Sequence, residues 1–368
     1  MINHFLNYEF VYLFLFLFLF FAFIGLLIKN KIIKKISLLF FAIFYSLFFM
    51  EFILSFFMPA PTMIYNKGCL YKINDRTTHI CRDLKYVDKN GMILRFDGDI
   101  FNDLKFTESE SCSLVYDKNY TEYYNGFRYT KCNEKSDETY LFFGCSFTFG
   151  TAVDDNETLP YYFSEKFNFE KNVINCGVGG QATNTALNIL NNDVFENLIP
   201  EKSKVKHCFY TLIKDHIYRN FRYEGYCIDS YLYKDNKYTK VKQPYGIFKS
   251  LFARCYIFRK VFLPWIDEHN EDFYEDYLLE TLKEINGILK EKYNSKLTLI
   301  VWPGDPGEYR EVFLDKLKKV SLDIIFVPDS FLSYDLGYRV KEDGHPTAQA
   351  NNIIAEKIYD YLKNIEQD

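Results

Sequence analysis

Two short stretches of the chain carry the residue types that acyl chemistry needs. Gly144-Cys145-Ser146-Phe147-Thr148-Phe149-Gly150 sets a serine between glycines, and Glu342-Asp343-Gly344-His345-Pro346-Thr347 sets a histidine beside two acids. A serine hydroxyl is a weak nucleophile until a base takes its proton, and an imidazole does this best when an acid fixes its tautomer. Each stretch also has a plainer reading. A serine in such a turn commonly caps the next helix, and a lone histidine is commonly a surface or capping residue. Two further stretches bear on the choice. Asn175-Cys176-Gly177-Val178-Gly179-Gly180-Gln181-Ala182-Thr183 is a glycine-rich turn able to bring a backbone N–H against a developing oxyanion, and Thr211-Leu212-Ile213-Lys214-Asp215-His216 is a charged one. The glycines Gly177, Gly179 and Gly180 do not follow G-x-G-x-x-G, which excludes a dinucleotide fingerprint.

The elements that must position these residues follow from periodicity. Compact apolar runs predict strands at Tyr140–Phe143, Asn172–Asn175, Val205–Ile213, Leu297–Trp302 and Ile324–Val327. Between and after them, helices are expected at Leu159–Phe169, Asn184–Leu198, Phe248–Phe262, Phe273–Tyr293, Tyr309–Lys319 and Thr347–Leu362. Strands separated by helices imply an α/β domain, with a mainly five-stranded parallel sheet covered on both faces. Ligands of such sheets bind beyond the carboxyl ends of the strands. Three of the four stretches directly follow a predicted strand, and the histidine stretch follows the fifth after a loop. Their joint occurrence in that order outweighs the plain reading of each.

On these residues the chain resembles the SGNH hydrolases, the GDSL-type esterase/lipase superfamily. The Ser146 stretch matches the first family block, with Cys145 where aspartate is commonest. Gly180 falls at the second-block glycine, and His345 followed by Pro346 matches the last block. Asn125-Gly126-Phe127-Arg128 also resembles a segment preceding the serine block in some bacterial members. The resemblance covers roughly residues 120–365. It implies a flavodoxin-like three-layer α/β/α fold, Ser146 as nucleophile, His345 as general base, and an oxyanion hole from the N–H groups of Ser146 and Gly180. No cofactor or metal is expected, since His4, His79, His207, His216 and His269 form no ligand-spaced cluster with His345.

Two positions depart from the family pattern. The third block usually reads Asn-Asp, whose Asn donates to the oxyanion, and here Lys214-Asp215 stands there. Lys214 would donate as a flexible point charge rather than a rigid amide; His216 and Gln181 are other candidate donors. The acid usually stands three residues before the histidine, where this chain has Glu342. Asp343 is the favoured partner because Gly344 frees the turn to fold back, and Glu342 is the alternative.

The first 61 residues are of another kind. Phe10–Ile28 has no charge and Ile36–Phe57 has only Glu51, with Lys29, Lys31, Lys34 and Lys35 between the runs. Each run is long enough to span a bilayer core as a helix. A transmembrane hairpin with helices about 10–28 and 36–57 is expected. Its lysine loop would be cytoplasmic by the positive-inside rule, and both termini would lie outside the cytoplasm. Pro59-Ala-Pro61 ends it. Residues 62–135 are read as a linker and a small irregular, β-containing layer that packs on the main domain. Residues 136–368 form the hydrolase-like domain, with an insertion near 222–245. Phe and Tyr number 38 and 31, and 16 of the Phe lie before residue 61. That content excludes a disordered chain, and a net charge of −5 gives no sign of a nucleic-acid binder. Of the nine cysteines, Cys145, Cys176 and Cys208 read as buried thiols, while Cys69, Cys81, Cys112 and Cys132 could pair outside the cytoplasm.

The expected activity is therefore ester hydrolysis or acyl transfer on Ser146, on acyl groups of envelope glycans or lipids. The alternatives are a degenerate domain that binds a glycan or a partner without turnover, and a structural subunit of an envelope complex.

Overall fold

Glu138–Gly144 shows why a sheet forms here. Five successive residues, Thr139 to Phe143, are buried, and alternation sends Tyr140 and Phe142 to one face and Leu141 and Phe143 to the other. A strand apolar on both faces needs a cover on each, as parallel sheets have. The computed structural model describes residues 16–23, 30–57, 78–88, 93–97, 112–123, 126–223, 226–227, 231–234, 237–240, 263–304 and 309–367. The chain divides into two compact units.

The larger unit comprises Asn66–Asn220, Tyr231–Thr239 and Phe273–Asp368. It opens with three strands, β1 (Thr78–Asp88), β2 (Ile93–Asp97) and β3 (Cys112–Tyr123), in an antiparallel sheet ordered β2-β1-β3. This is more regular than the layer expected there, because each strand finds its partner across an intervening stretch of chain that local periodicity does not register. The main sheet holds β4 (Glu138–Gly144), β5 (Asn172–Gly177), β6 (Lys204–Leu212), β11 (Leu297–Val301) and β12 (Asp323–Phe326). All neighbouring pairs are parallel, in the order β12-β11-β6-β4-β5. Read by chain order this is 2-1-3-4-5, the flavodoxin-like arrangement, with its switch point between β4 and β6.

On one face Tyr140, Phe142, Val173, Phe209 and Ile300 pack with Leu159 and Phe163 of the helix Leu159–Lys166 and with Ile354, Ile358 and Leu362 of the helix Ala348–Gln367. The Phe142, Phe163 and Phe209 rings lie 4.8 to 5.6 Å apart, and burying each contributes about 1.5–3 kcal/mol. On the other face Phe143 meets Phe195, which meets Tyr293 at the end of the helix Glu271–Tyr293. Sheet and helices thus make three layers.

The helix expected over Asn184–Leu198 is shorter, running Thr183–Asn191, with Asp193 at φ 54° and a separate turn at Glu196–Leu198. The helix from Leu159 likewise stops at Lys166, with Asn168 and Phe169 at positive φ. Asn, Asp and the chain reversal after them end both helices before the apolar pattern does.

The smaller unit comprises Met1–Tyr65, Phe221–Ser230 and Lys240–Asp272. Residues 16–23 are helical, and a helix covers Lys31–Phe57. The two run antiparallel. Phe18 stacks on Phe41 and meets Tyr45, Phe21 stacks on Phe40 and Phe44, and the Ser37 hydroxyl donates to the Phe21 carbonyl at 2.7 Å. Among the described residues no helix is long and apolar enough to cross a membrane. Within 222–245, β7 (Arg222–Tyr223) pairs with β8 (Tyr226–Cys227), and β9 (Tyr231–Lys234) with β10 (Lys237–Lys240). The helix expected at 248–262, the Pro59-Ala-Pro61 linker and Cys69 lie outside the described residues.

Candidate active site

Ser146 begins a four-residue helical turn, Ser146–Phe149, directly after β4. The residue before it, Cys145, is extended and supplies no side-chain cap. The Ser146 hydroxyl is not spent on capping either. It lies 2.7 Å from His345 Nε2, although the two residues are 199 positions apart. Ser146 is 8% exposed, as suits a group screened from water but reachable. Sheet topology brings the two together. Ser146 follows the interior strand β4, and His345 sits in the loop before the final helix, which packs on the helix Leu159–Lys166 that follows.

The partner of His345 Nδ1 is Asp343, through Oδ2. Its carboxylate is 4% exposed and the imidazole 17%. An acid two residues before a histidine reaches its ring only if the chain folds back. Here Arg339 bridges Pro346, the Val340 N–H donates to the His345 carbonyl, and the Gly344 N–H donates to Val340. Glu342 at φ 60° and Gly344 at φ 86° make the reversal, which turns Asp343 under the ring. The alternative raised by the spacing, Glu342 as the paired acid, is decided by this turn in favour of Asp343. Phe147 flanks the imidazole with ring centroids 5.4 Å apart, and its other side meets the buried Trp302 at 5.1 Å.

Gly180 lies in the turn after β5 and Lys214 in the turn after β6, so the two turns stand on either side of the β4 end. The Gly180 turn is held against the serine. The Val178 N–H donates to the Gly144 carbonyl at 3.0 Å, and the Gly177 N–H to Asn175 Oδ1 at 3.0 Å. A Cβ on Gly177 would stand 2.3 Å from the Phe149 backbone nitrogen, so only glycine permits this approach. Neither the Ser146 nor the Gly180 N–H has an acceptor among the described residues. Backbone donors left unspent near a nucleophile are the kind of group that can hold an oxyanion. Lys214 is half-buried.

The other candidate donors are each engaged on one side only: among the described residues the buried His216 Nε2 has no partner, and Gln181 is bonded through its amide oxygen. His216 Nδ1 is 2.9 Å from the Tyr210 hydroxyl, and burial pushes its pKa well below the usual value, so the ring is neutral. Gln181 accepts from the Thr185 hydroxyl at 2.8 Å. Burial also pushes up the thiols of Cys145, Cys176 and Cys208, the last to about 12, so none is a thiolate near neutrality.

Arg128 and Asn175 brace the serine turn. Arg128 is wholly buried. Its guanidinium donates to Asp155 at 3.0 Å, to the carbonyls of Phe149 at 3.3 Å and Val153 at 2.8 Å, and to that of Gly150. Its charge also lies 4.1 Å from the Tyr120 ring centroid, which carries β3 onto the same turn. Asn175 Nδ2 donates to the Thr148 carbonyl at 3.0 Å. The sequence marked Arg128 only through the resemblance of its segment. A lone arginine before a strand carries no local sign of burial, and no signal singled out Asn175 as a brace.

No family model matches this chain, and no curated protein matches it. Among solved structures it is similar to a protein from Desulfitobacterium hafniense DCB-2 ascribed to the lipolytic G-D-S-L family. The two are 13% identical, with a TM-score of 0.34, over 59% of this chain and 95% of that one.

Proposed function

We propose that the chain is a serine-dependent ester hydrolase or acyltransferase of the SGNH type. The observation that carries this reading is the hydrogen-bonded chain from Asp343 through His345 to Ser146. His345 Nε2 takes the Ser146 hydroxyl proton as Oγ attacks the acyl carbonyl. Asp343 keeps the other ring nitrogen protonated and stabilises the imidazolium. The oxyanion forms against the N–H groups of Ser146 and Gly180, with Lys214 as a third, cationic donor. Collapse breaks the bond to the alcohol oxygen, which takes the proton from His345, and leaves an acyl-enzyme on Ser146. Water or a sugar hydroxyl then gives its proton to His345, attacks the acyl carbon, and Ser146 Oγ leaves with that proton.

The proposed setting is the outer face of a membrane, with 10–28 and 36–57 as a two-helix anchor and the lysine loop inside. The ring contacts that pair 16–23 with 31–57 support a hairpin. The proposed substrates are acyl groups on envelope glycans or lipids, by reason of that setting. One observation favours a second reading, a binding module without turnover: Lys214 stands where a rigid amide donor is expected.

A fluorophosphonate probe, an acetyl ester and acetylated glycans with and without an acceptor sugar test the proposal on the whole chain. Ser146 should label, esters should turn over, and Ser146→Ala should abolish labelling and cut turnover at least about 1,000-fold. A folded wild-type chain that neither labels nor turns over esters sinks the hydrolase reading and leaves the binding module.

A further inference from the structure

The first N–H groups of a helix need acceptors from outside it. The helix Thr183–Asn191 follows the Gly180 turn, and its N-cap is Ala182, which has no side-chain acceptor. Asn220 supplies it from another part of the chain. Its Oδ1 accepts from the Asn184 N–H at 3.1 Å and from the Thr183 hydroxyl at 3.0 Å. Its Nδ2 donates to the His216 carbonyl at 3.2 Å, and its own carbonyl accepts from Asn184 Nδ2 at 3.5 Å. Asn220 is wholly buried.

These bonds join two particular places. Thr183 and Asn184 come directly after the turn that carries Gly180, and His216 comes directly after the turn that carries Lys214. The two turns leave β5 and β6, which β4 separates, so across the sheet they stand about 10 Å apart. No ladder bond ties β5 to β6. We propose that Asn220 is a positioning residue of the oxyanion site, holding the Gly180 turn and the Lys214 turn at a fixed span across Ser146. The proposal rests on the acyl-transfer reading above. An anion held between donors on two turns is stabilised only while the span is kept, and a misplacement of about 1 Å can cost about 100-fold. An amide suits the place because it accepts on one side and donates on the other.

The test measures kcat and KM for an acetyl ester, and the affinity of a boronic acid, whose serine adduct mimics the tetrahedral oxyanion. Asn220→Ala should lower kcat about 10- to 100-fold, leave KM within about twofold, and weaken the boronic acid in parallel. Thr183→Val, a milder cut at the same junction, should lower kcat about two- to tenfold, and the double variant should be little worse than Asn220→Ala. The idea is overturned if Asn220→Ala keeps kcat and boronic-acid affinity within about twofold, or if its loss falls on KM or on melting temperature alone. Should Asn220→Ala fail to fold, Thr183→Val decides by the same two readouts. If the wild-type chain neither labels nor turns over, the hydrolase reading has failed. The clamp is then judged by amide exchange in Thr183→Val: faster exchange in both 183–187 and 214–218 supports it, and a change in one alone or in neither overturns it.

Discussion

The two ends of the parallel sheet are built on opposite principles. At the amino end charges and polar groups are linked to one another. Glu138 pairs with Lys171 at 2.5 Å and lies 3.7 Å from Lys206, which lies 3.6 Å from Glu366. His207 Nε2 is 2.7 Å from the Thr298 hydroxyl, Thr298 donates to Tyr361 at 3.3 Å, and Tyr361 donates to Asp323 at 2.7 Å. At the carboxyl end the N–H groups of Ser146 and Gly180 have no acceptor among the described residues, and the hydroxyl, imidazole and carboxylate form a hydrogen-bonded relay. Polar groups satisfied among themselves hold a fold in one arrangement, while donors left unspent at a strand end are available to a transition state. Changes at the carboxyl end should therefore cost activity with little stability, and changes at the amino end the reverse.

The largest effect after Ser146 itself is expected from Asp343. Asp343→Asn should cut kcat about 100- to 10,000-fold with an unfolding midpoint close to wild type, while Glu342→Gln should change kcat less than about threefold. Equal losses for the two acids would show that the turn in solution differs from the one described. Lys214→Met should cost roughly 10- to 100-fold in kcat at nearly constant KM. A drop below about twofold would remove Lys214 from the oxyanion site and leave the two backbone donors to act alone.

The smallest effect on activity, and the clearest on stability, belongs to the amino end. Burial lowers the His207 pKa from 6.5 to about 4. The unfolded chain therefore binds a proton between these values that the folded chain does not. Stability due to neutral His207 is complete above about pH 6.5, falls as pH drops towards 4, and is gone below it, a loss of about 3 kcal/mol. His216 at the carboxyl end, lowered in the same direction by burial, adds a slope of its own that His207→Gln leaves in place. Urea unfolding of His207→Gln at pH 7, 5.5 and 4 should show a flatter dependence than wild type, with ester turnover at pH 7 unchanged. An unaltered slope would place the acid sensitivity elsewhere.

Much of the fold could be read locally. A strand buried on both faces is a short unbroken apolar run, as in Tyr140–Phe143, and the five runs predicted are the five strands of the sheet. Reading failed where a decision was not local. The apolar pattern of Asn184–Leu198 continues past Asn191, and the backbone turn at Asp193 ends the helix anyway. The three-stranded sheet over 78–123 joins strands through pairings such as Ile80 with Thr121, and a mixed Tyr, Asp and Lys composition does not announce them.

At the site the same division holds. Residue type and position after a strand drew attention to the Ser146 and His345 stretches, and the family resemblance picked out Gly180 and Lys214 within theirs; of these the structure joins Ser146 to His345 by a hydrogen bond. Asp343 against Glu342 was a matter of one residue in spacing. The answer lay in a reversal with Glu342 and Gly344 at positive φ, which depends on Arg339 and Pro346 meeting across it. Arg128, Asn175 and Asn220 are ordinary polar residues in the sequence, and burial alone turns them into braces, since a buried donor or acceptor must be matched. The sequence by itself determined which strand ends carry the serine, glycine-rich and lysine stretches and where the apolar runs of the first 61 residues lie, because both are properties of neighbours along the chain. Only the tertiary structure decided that Asp343 rather than Glu342 meets His345, because that rests on a backbone reversal closed by Arg339 and Pro346, and that Ser146 meets His345 and Asn220 joins the turns after β5 and β6, because those contacts are set by sheet order rather than chain proximity.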